Sequence, residues 1–285
     1  MKLFRRTLGA VLILSVALPA CAQTKLFFNL QKGSTYLQRL DYDVESESSG
    51  QKVTIKLKGT YRVQVTGETD STKILDVAYE RIGMDMDLGT MTISGDSDVP
   101  ANLDLADGAN AASAVMGKMF AAMKGKTFQL TVNREGQVSA VKGMDALTDA
   151  VMASMDVPAE IKNGAREGFT KQFNESSIRQ NFNQAFYIFP ARGVKVGDSW
   201  SRAYDQDNAQ VTTTYTVKTL GPKEVVLTTS SVIASTAGGP SIRGTGTGEL
   251  LIDTKTGLVL RGQMVNNLDG DAKVTSKGSF EGTIK

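Results

Sequence analysis

The chain has 285 residues, with 32 Lys and Arg against 30 Asp and Glu, no histidine and one cysteine. This charge balance excludes a strongly basic nucleic-acid-binding surface. Without histidine the chain lacks the most common general base and transition-metal ligand, and one cysteine permits neither a disulfide nor a thiolate metal site. We therefore expect a non-enzymatic protein that has no catalytic residues, binds no metal or cofactor and has no nucleic-acid partner.

Residues 1–22 have the layout of a secretory signal peptide. Three basic residues precede an apolar run, Leu8–Leu18, that is too short to span a bilayer. The run ends in the small residues Ala20-Cys21-Ala22. Cleavage after Ala22 leaves residues 23–285, which are long enough for one β-rich domain and contain no transmembrane segment.

Cys21 allows a second processing route, because Leu18-Pro19-Ala20-Cys21 resembles the acylation site of a lipoprotein. Pro19 fits that site poorly. The first strand, which we expect to begin at Lys25, leaves no flexible tether after a lipid anchor. Simple cleavage is therefore favoured, and it predicts a periplasmic or secreted protein; an outer-membrane lipoprotein anchored through Cys21 is the alternative.

The main structural signal is an alternation of apolar and polar residues. From Val53 to Val65 every second residue is apolar or glycine, and Thr, Lys, Arg and Gln fill the gaps. Such a pattern predicts a long strand with one buried face. It recurs in residues 36–44, 75–88, 128–142 and 211–284, and a change of parity between Tyr79 and Ile82 predicts a β-bulge near residues 81–83.

The period becomes helical between about residues 108 and 190, apart from the hairpin at 128–142. Six methionines lie in the first part of this insert, at positions 116, 119, 123, 144, 152 and 155. The pattern indicates an α+β, mainly β fold. We expect a long curved antiparallel sheet, either open or a half barrel, with the helical insert packed on its concave face.

Glycines interrupt the apolar face of two predicted strands. Gly244, Gly246 and Gly248 are in phase with Leu250 and Ile252, and Gly262 continues the inward phase of the next strand. Missing side chains on a buried face predict a hollow. The structural interpretation is a closely seated helix or sheet curvature relieved by glycine, and the functional interpretation is an apolar ligand; the structural one is the more common for strand glycines.

The ligand interpretation places the site between the methionine-bearing helix and the glycines. Methionine suits both ordinary cores and surfaces that accommodate variable apolar partners. The candidate ligand-binding residues are Met116, Met119, Phe120, Met123, Gly244, Gly246, Gly248 and Gly262.

Other patterns carry less weight. Asp96, Asp98, Asp104 and Asp107 suggest a calcium loop, but Val99-Pro100 interrupts the ligand spacing, so a solvated loop is favoured. Long alternating strands are also typical of outer-membrane β-barrels, which stay a minor alternative because the helical insert is much longer than the turns of such proteins.

Three short motifs resemble those of a family of exported proteins of unknown function from Bacteroidetes-type bacteria. They are Asn29-Leu30-Gln31-Lys32-Gly33-Ser34-Thr35-Tyr36, Asn133-Arg134-Glu135-Gly136-Gln137-Val138, and Phe189-Pro190 leading to Val194-Lys195-Val196-Gly197-Asp198-Ser199-Trp200. The resemblance covers most of the mature chain and implies no catalytic residues. A curved sheet cupping helices is also similar, in fold only, to periplasmic lipoprotein and lipid carriers.

The sequence favours an exported envelope protein that binds a hydrophobic ligand, such as a lipid or acyl chain, between sheet and helices. The alternative is a structural or protein-interaction module of the envelope with a protein partner and no small-molecule ligand. An enzyme that works with carboxylates alone ranks below both.

Overall fold

A computed structural model describes residues 23–101, 108–206, 209–235 and 243–285. The expected signal peptide, Cys21 and two carboxylates of the predicted solvated loop, Asp104 and Asp107, lie outside these residues. No helix among the described residues is long and apolar enough to cross a bilayer.

The described residues form one sheet and four helices. The strands of the N-terminal half are β1 (Thr35–Ser48), β2 (Gln51–Glu68), β3 (Thr72–Asp87), β4 (Thr92–Asp96), β5 (Thr127–Asn133) and β6 (Val138–Lys142). Those of the C-terminal half are β7 (Ser199–Gln206), β8 (Ala209–Leu220), β9 (Glu224–Ser235), β10 (Arg243–Asp253), β11 (Val259–Asp269) and β12 (Lys273–Ile284). The helices are α1 (Gly108–Met123), α2 (Met144–Ser154), α3 (Ala159–Gln172) and α4 (Glu175–Phe186).

All neighbouring strands are antiparallel, and the first and last strands of the chain lie side by side in the middle of the sheet. The strand order is β6-β5-β3-β2-β1-β12-β11-β10-β9-β8-β7, with β4 paired to the outer part of β3. The sequence prediction of a mainly β fold with an open antiparallel sheet and a helical insert is confirmed.

The parity change in β3 results from one extra residue. Thr60 pairs with Arg81, whereas the next residue of β2, Tyr61, pairs with Tyr79. Glu80 therefore has no residue opposite it in the β2–β3 register. The predicted bulge therefore exists, one position before the predicted range. It turns Tyr79 and Ile82 to the same buried face despite their odd spacing.

The sheet curls strongly, because its two edge strands contact the same helix. Helix α4 packs against both β6 and β7. Along the sheet, ten strand spacings of about 4.8 Å separate these edges by roughly 48 Å, whereas a helix is about 10 Å wide. The edges must therefore bend toward each other until α4 and the residues after it fill the gap between them, which we call the seam.

Side chains of β7 hold one margin of the seam. Alternate residues of this strand point inward and donate hydrogen bonds to consecutive carbonyl groups just after α4. The bonds run from Trp200 Nε1 to Ile188 O (2.8 Å), from Arg202 Nη2 to Phe189 O, and from Tyr204 Oη to Tyr187 O (3.0 Å).

The other margin is held at the start of β6. The backbone N–H of Val138 donates to Asn183 Oδ1 of α4 at 2.8 Å. The preceding turn lies so close to the helix end that a Cβ at Gly136 would overlap the carbonyl oxygen of Phe186. The seam thus satisfies the edge N–H of Val138 and covers both edges, which hinders their pairing with another chain.

The segment before β1 crosses one end of the curled sheet. Its backbone bonds to three different loops: Thr24 pairs with Val194, Phe28 N–H donates to Arg134 O (2.8 Å), and Asn29 N–H donates to Thr256 O (2.8 Å). The prediction of a strand from Lys25 is therefore wrong, because no single strand lies alongside this segment. Its apolar residues are nevertheless buried, namely Leu26, Phe28 and Leu30.

The core occupies this same end of the concave face. Phe182 of α4 lies with its ring centroid 6.1 Å from that of Tyr61 and 5.8 Å from that of Phe128. Phe173, just after α3, meets Tyr79 edge-on at 6.3 Å. Helices α3 and α4 therefore pack their aromatic side chains on the inner face of β2, β3 and β5, as the sequence predicts for the insert.

Gly136→Ala tests the closeness of the seam. Gly136 and Gly197 both have φ +88°, but a Cβ at Gly197 would meet nothing within 4 Å. We expect Gly197→Ala to lower the free energy of unfolding by about 1 kcal/mol, the cost of a left-handed alanine. Gly136→Ala should lower it by more than about 3 kcal/mol, because the methyl group also displaces the helix end. Urea unfolding followed by circular dichroism measures both, and equal losses would contradict the close contact.

Candidate functional site

The concave face has two parts that differ in burial. At the end next to the core, inward residues such as Tyr36, Val63 and Val77 are at most 1% exposed. Toward the β1–β2, β3–β4 and β11–β12 turns, the inward side chains are only half-buried, and we call this part the open half. Its apolar residues are Tyr42, Val44, Ile55, Leu57, Met84, Met86, Met264, Leu268, Val274 and Phe280.

Helix α1 forms a wall beside the open half. It packs on β3 and β4, where a Cβ at Gly95 would lie 2.7 Å from Met116 Cγ. Met116 and Met119 are half-buried, whereas Phe120 and Met123 are 4% and 0% exposed. Two of the four residues predicted on this helix are therefore core residues, and two stay accessible.

The predicted glycines point inward, as their phase indicated. Gly246 pairs with Asn266 of β11, Gly248 with Met264, and Gly262 with Leu250. Gly246 and Gly262 are buried, and Gly244 and Gly248 are half-buried.

The predicted hollow over these glycines is filled, because side chains from neighbouring strands lean over them. A Cβ at Gly262 would lie 2.7 Å from Leu250 Cδ2, and one at Gly244 would lie 2.6 Å from Leu268 Cδ2. At Gly246 it would overlap Asn266 Oδ1. The glycines therefore permit close cross-strand packing by side chains of β10 and β11, whereas the sequence pattern predicted a seated helix, sheet curvature or a ligand.

The eight predicted residues lie in two places. The four on α1 are beside β3 and β4, and the four glycines are on β10 and β11. Strands β2, β1 and β12 lie between these places in the sheet. A ligand that contacts both groups has to extend across the open half.

A row of polar side chains crosses the concave face, and the sequence analysis missed it. In the register of the sheet, one inward residue from each of six adjacent strands lies in this row. The polar row consists of five polar residues, Arg202, Thr213, Ser231, Asn266 and Ser276, with Gly246 at the β10 position. The sequence alone could have shown that each of these residues points inward, from its position in the alternation of its strand. Only the register of the sheet shows that they lie side by side.

Hydrogen bonds connect several members of the polar row. Thr213 Oγ1 and Ser231 Oγ are 2.8 Å apart. Asn266 Nδ2 donates to Ser276 Oγ at 3.2 Å, and Tyr42 Oη donates to the same oxygen at 2.9 Å. These contacts keep the hydroxyl groups satisfied on a largely apolar face.

Arg202 lies where the polar row meets the seam, among three tyrosines. Its guanidinium carbon is 4.2 Å from the ring centroid of Tyr187, and Tyr204 Oη and Tyr215 Oη are 2.9 Å apart nearby. Its Nε is buried and has no hydrogen-bond partner among the described residues. An orphaned charged donor of this kind favours an additional acceptor.

Burial shifts the tyrosine hydroxyls toward the neutral form. It raises the pKa of Tyr215 to about 12. It also raises the pKa of Tyr204, with a further contribution from the charge of Tyr215. Neither hydroxyl is therefore a base near neutral pH, and both act as hydrogen-bonding groups.

Of the carboxylates predicted in a solvated loop, the structure describes Asp96, which is instead the last residue of β4, and Asp98, and both are paired with cations. Arg81 Nη2 is 2.7 Å from Asp96 Oδ2, and Lys124 Nζ is 2.8 Å from Asp98 Oδ1. The hydrogen bond from Arg81 holds the pKa of Asp96 below its usual value, and that from Lys124 does the same for Asp98. Both carboxylates are thus ionised, Asp96 as the partner of Arg81 on β3 and Asp98 as the partner of Lys124 just after α1.

Two surface cavities lie away from the predicted residues. One, of about 390 Å³, lies beside the segment before β1 and is lined by Phe27, Phe28, Asn29, residues 68–73, Asn133 and Arg134. The other, of about 400 Å³, is at the β8–β9 turn and is lined by residues 219–224, Val226 and Leu251.

Replacing glycines by alanine tests how the hollow is filled. A Cβ at Gly248 would lie 2.5 Å from Gln263 O, which the sheet fixes, whereas Gly246 faces the movable end of Asn266. We expect Gly248→Ala to lower the free energy of unfolding by about 2 kcal/mol or more, and Gly246→Ala by about 1 kcal/mol or less. Thermal and urea unfolding compare the two variants, and the reverse order would contradict the packing described.

The tyrosine pair predicts an alkaline loss of stability. A pKa of about 12 for folded Tyr215 against about 10 in an unfolded chain means that the native state favours the neutral hydroxyl. This contribution, about 3 kcal/mol, is complete below pH ~10 and is lost as the pH rises through 12. Tyr215→Phe should flatten that decline in urea unfolding between these pH values; an unchanged slope would count against the assignment.

Comparison with solved structures gives only remote likenesses. A lipovitellin structure concerned with lipid–protein interactions is 10% identical with a TM-score of 0.49, and the match covers 90% of this chain and 26% of the lipovitellin chain. The translocator domain of the autotransporter NalP from Neisseria meningitidis is 8% identical with a TM-score of 0.32, covering 89% of this chain and 88% of that one. An outer membrane channel of Pseudomonas putida F1 is 8% identical with a TM-score of 0.24, covering 90% and 97%. At these TM-scores the likenesses carry no argument about function.

Sequence comparison identifies the family. No curated protein matches the chain. Residues 70–259, about two thirds of the 285 residues, match the model of a family of unknown function (DUF6263). This range runs from the β2–β3 turn to the first residue of β11 and includes all four helices and the seam. The chain therefore belongs to this family of unknown function.

Proposed function

We propose that the protein is a non-enzymatic, exported binding protein that holds an apolar ligand, such as a lipid or acyl chain, against the open half of the concave face. The observation that carries this proposal is the set of ten half-buried apolar side chains on the inner face of a curled sheet. Contiguous accessible apolar surface in a concave site is typical of ligand binding.

The width of the sheet supports a space for a ligand. In a closed sheet of about eight strands, inward side chains fill the interior, and wider sheets leave room. Here eleven strands lie side by side, and α4 completes the circuit. The aromatic side chains of Phe173 and Phe182 and the apolar residues of the segment before β1 pack at the end next to the core, whereas the apolar side chains of the open half stay half-buried.

The wall formed by α1 suits ligands of variable shape. Met116 and Met119 are half-buried, and the facing strand contributes Met84 and Met86, also half-buried. Methionine side chains are flexible and polarisable, so they adapt to different chain lengths and degrees of bending. Burying about ten methylene groups contributes about 8 kcal/mol, which limits the affinity to roughly the micromolar range.

Export is the part of the proposal that rests on residues 1–22 alone. In these residues a basic cluster is followed by an apolar run and then by small residues. It places the protein in the periplasm or outside the cell, with a lipid anchor at Cys21 as the alternative. Mass spectrometry of the protein isolated from the producing cell tests this, since a chain starting at Gln23 and one acylated at Cys21 differ in mass.

A structural or interaction module is the second candidate function, and one observation favours it. The space over the glycines of β10 and β11 is filled by Leu250, Leu268 and Asn266. A sheet packed in this way does not need a ligand on that part of its surface. A co-purifying protein together with an apolar extract that contains no bound lipid would support this alternative.

Adjacent residues of β11 provide a direct test of the site. Met264 points into the open half, and Val265 points outward and is 37% exposed. Met264→Glu should abolish binding of the neutral apolar fluorophore N-phenyl-1-naphthylamine, because a carboxylate is costly to bury against an apolar ligand. Val265→Glu adds the same charge on the other face and should bind like the wild type.

The measurement is the fluorescence of that probe in titrations of purified, correctly folded variants, checked by circular dichroism. Organic extraction of the natively purified wild type, followed by mass spectrometry, identifies any ligand acquired in the cell. Equal binding by the two variants, or no binding by the wild type, would overturn the proposal.

A further inference from the structure

We infer that the ligand is an amphiphile with an anionic headgroup, a carboxylate or a phosphate, which Arg202, Thr213 and Ser231 bind while the apolar chain lies along the open half. This inference rests on the proposed function and adds to it the chemical class of the ligand and the place of its headgroup.

Arg202 carries a charge that the described residues do not neutralise. Other arginines have carboxylate partners near the surface, for example Arg62 with Glu80 at 2.6 Å and Arg192 with Asp198 at 3.1 Å. Arg202 is half-buried on the concave side and, within the part of the chain that the structure describes, has no carboxylate within 4.0 Å. A partly buried cation without a counter-ion is costly, and a bound anion removes that cost.

The existing contacts of Arg202 hold the side chain in place but leave donor capacity. One terminal nitrogen donates to Phe189 O, and the guanidinium plane lies over Tyr187. These contacts fix the direction of the fork, while Nε has no acceptor. A guanidinium that is fixed in this way presents its remaining donors in the geometry that suits two oxygens of a carboxylate or phosphate.

The neighbouring hydroxyls supply a further donor. Thr213 is the cross-strand partner of Arg202, and its Oγ1 is 2.8 Å from Ser231 Oγ. The bond between two hydroxyls uses only one of their two protons. The second proton is available to an acceptor placed beside Arg202, so the row can donate to an anion from two strands.

The surroundings of this group require an apolar chain on the same ligand. On one side of the polar row lie Val211 and Ile233, and on the other Trp200 and Tyr215, all inward in the register of β7, β8 and β9. Further along the row, on β11, Met264 and Leu268 lie on either side of Asn266 and point to the same face. An amphiphile fits both features, since its headgroup reaches Arg202 while its chain covers the half-buried apolar residues.

The test compares matched amphiphiles as competitors of N-phenyl-1-naphthylamine, which is neutral and reports on the apolar surface alone. At neutral pH, dodecanoic acid and dodecyl phosphate should displace the probe from the full mature chain at concentrations about tenfold lower than 1-dodecanol does. Arg202→Gln should remove this preference and leave displacement by dodecanol unchanged. Arg261→Gln, on the exposed outer face of β11, changes the net charge equally and should keep the preference.

Two further arms separate the alternatives. Thr213→Val retains Arg202 and its bond to the seam, and should reduce the preference about threefold, which tests the site even if Arg202→Gln unfolds. Millimolar inorganic phosphate should leave displacement by dodecanoic acid unchanged. If phosphate alone abolishes the preference, the site binds a free anion, and the amphiphile inference is overturned.

Equal displacement by the acid and the alcohol in the wild type, or a preference that survives in Arg202→Gln, would overturn the inference and leave the proposed function standing. If the acid and the alcohol both displace the probe less well, and to the same extent, from a folded Arg202→Gln variant, then Arg202 only holds the seam. This result also overturns the inference. Failure of every amphiphile to displace the probe would overturn the proposed function together with it.

Discussion

The structure depends on the joining of two sheet edges through one helix. An open antiparallel sheet leaves unpaired backbone groups at each edge and a concave face that must be covered. Here α4 and the residues after it occupy the gap between the edges: the backbone N–H of Val138 on β6 donates to Asn183, and inward side chains of β7 donate to carbonyls 187–189. The use of side chains in place of a strand ladder keeps the seam narrow and holds the aromatic face of α4 on the core.

The two ends of the concave face therefore differ in how far their inward side chains are covered by protein. One end is filled by protein and is apolar throughout. The other has two bands of apolar residues with the polar row between them, and the row satisfies its hydroxyl and amide groups internally through pairs such as Thr213 with Ser231. Polar groups that bond to one another allow an apolar face to exist without a ligand, and among the described residues Arg202 Nε is a buried side-chain donor that has no partner at all.

Local sequence patterns were sufficient to predict the strands and helices. Which residues lie together in the candidate site depends on the pairing of strands that are remote in sequence. The alternation from Val53 to Val65 was sufficient to predict β2, and the parity change after Tyr79 was sufficient to predict a bulge, because both depend on a single strand. The inward phase of Gly246 was predictable for the same reason. The overlap with Asn266 that fills its space was not, because it depends on which residue of β11 lies opposite. The polar row required six strands in register, and the path of residues 23–34 required three loops that are remote in sequence.

The pairing of β1 with β12 sets the order in which the molecule can be assembled. Strands β1 to β6 pair mainly with close neighbours in sequence, as do β7 to β12, so each arm forms through short loops. The two arms meet where Tyr36 lies opposite Ile284, and closing a loop of that length costs about 5 kcal/mol of chain entropy. Because β12 lies far along the chain from β1, the hairpin of β1 and β2 presents the free edge of β1 until β12 has been synthesised. The junction between β1 and β12 thus forms later than the hairpin of β1 and β2, and until then this strand edge is open to intermolecular association.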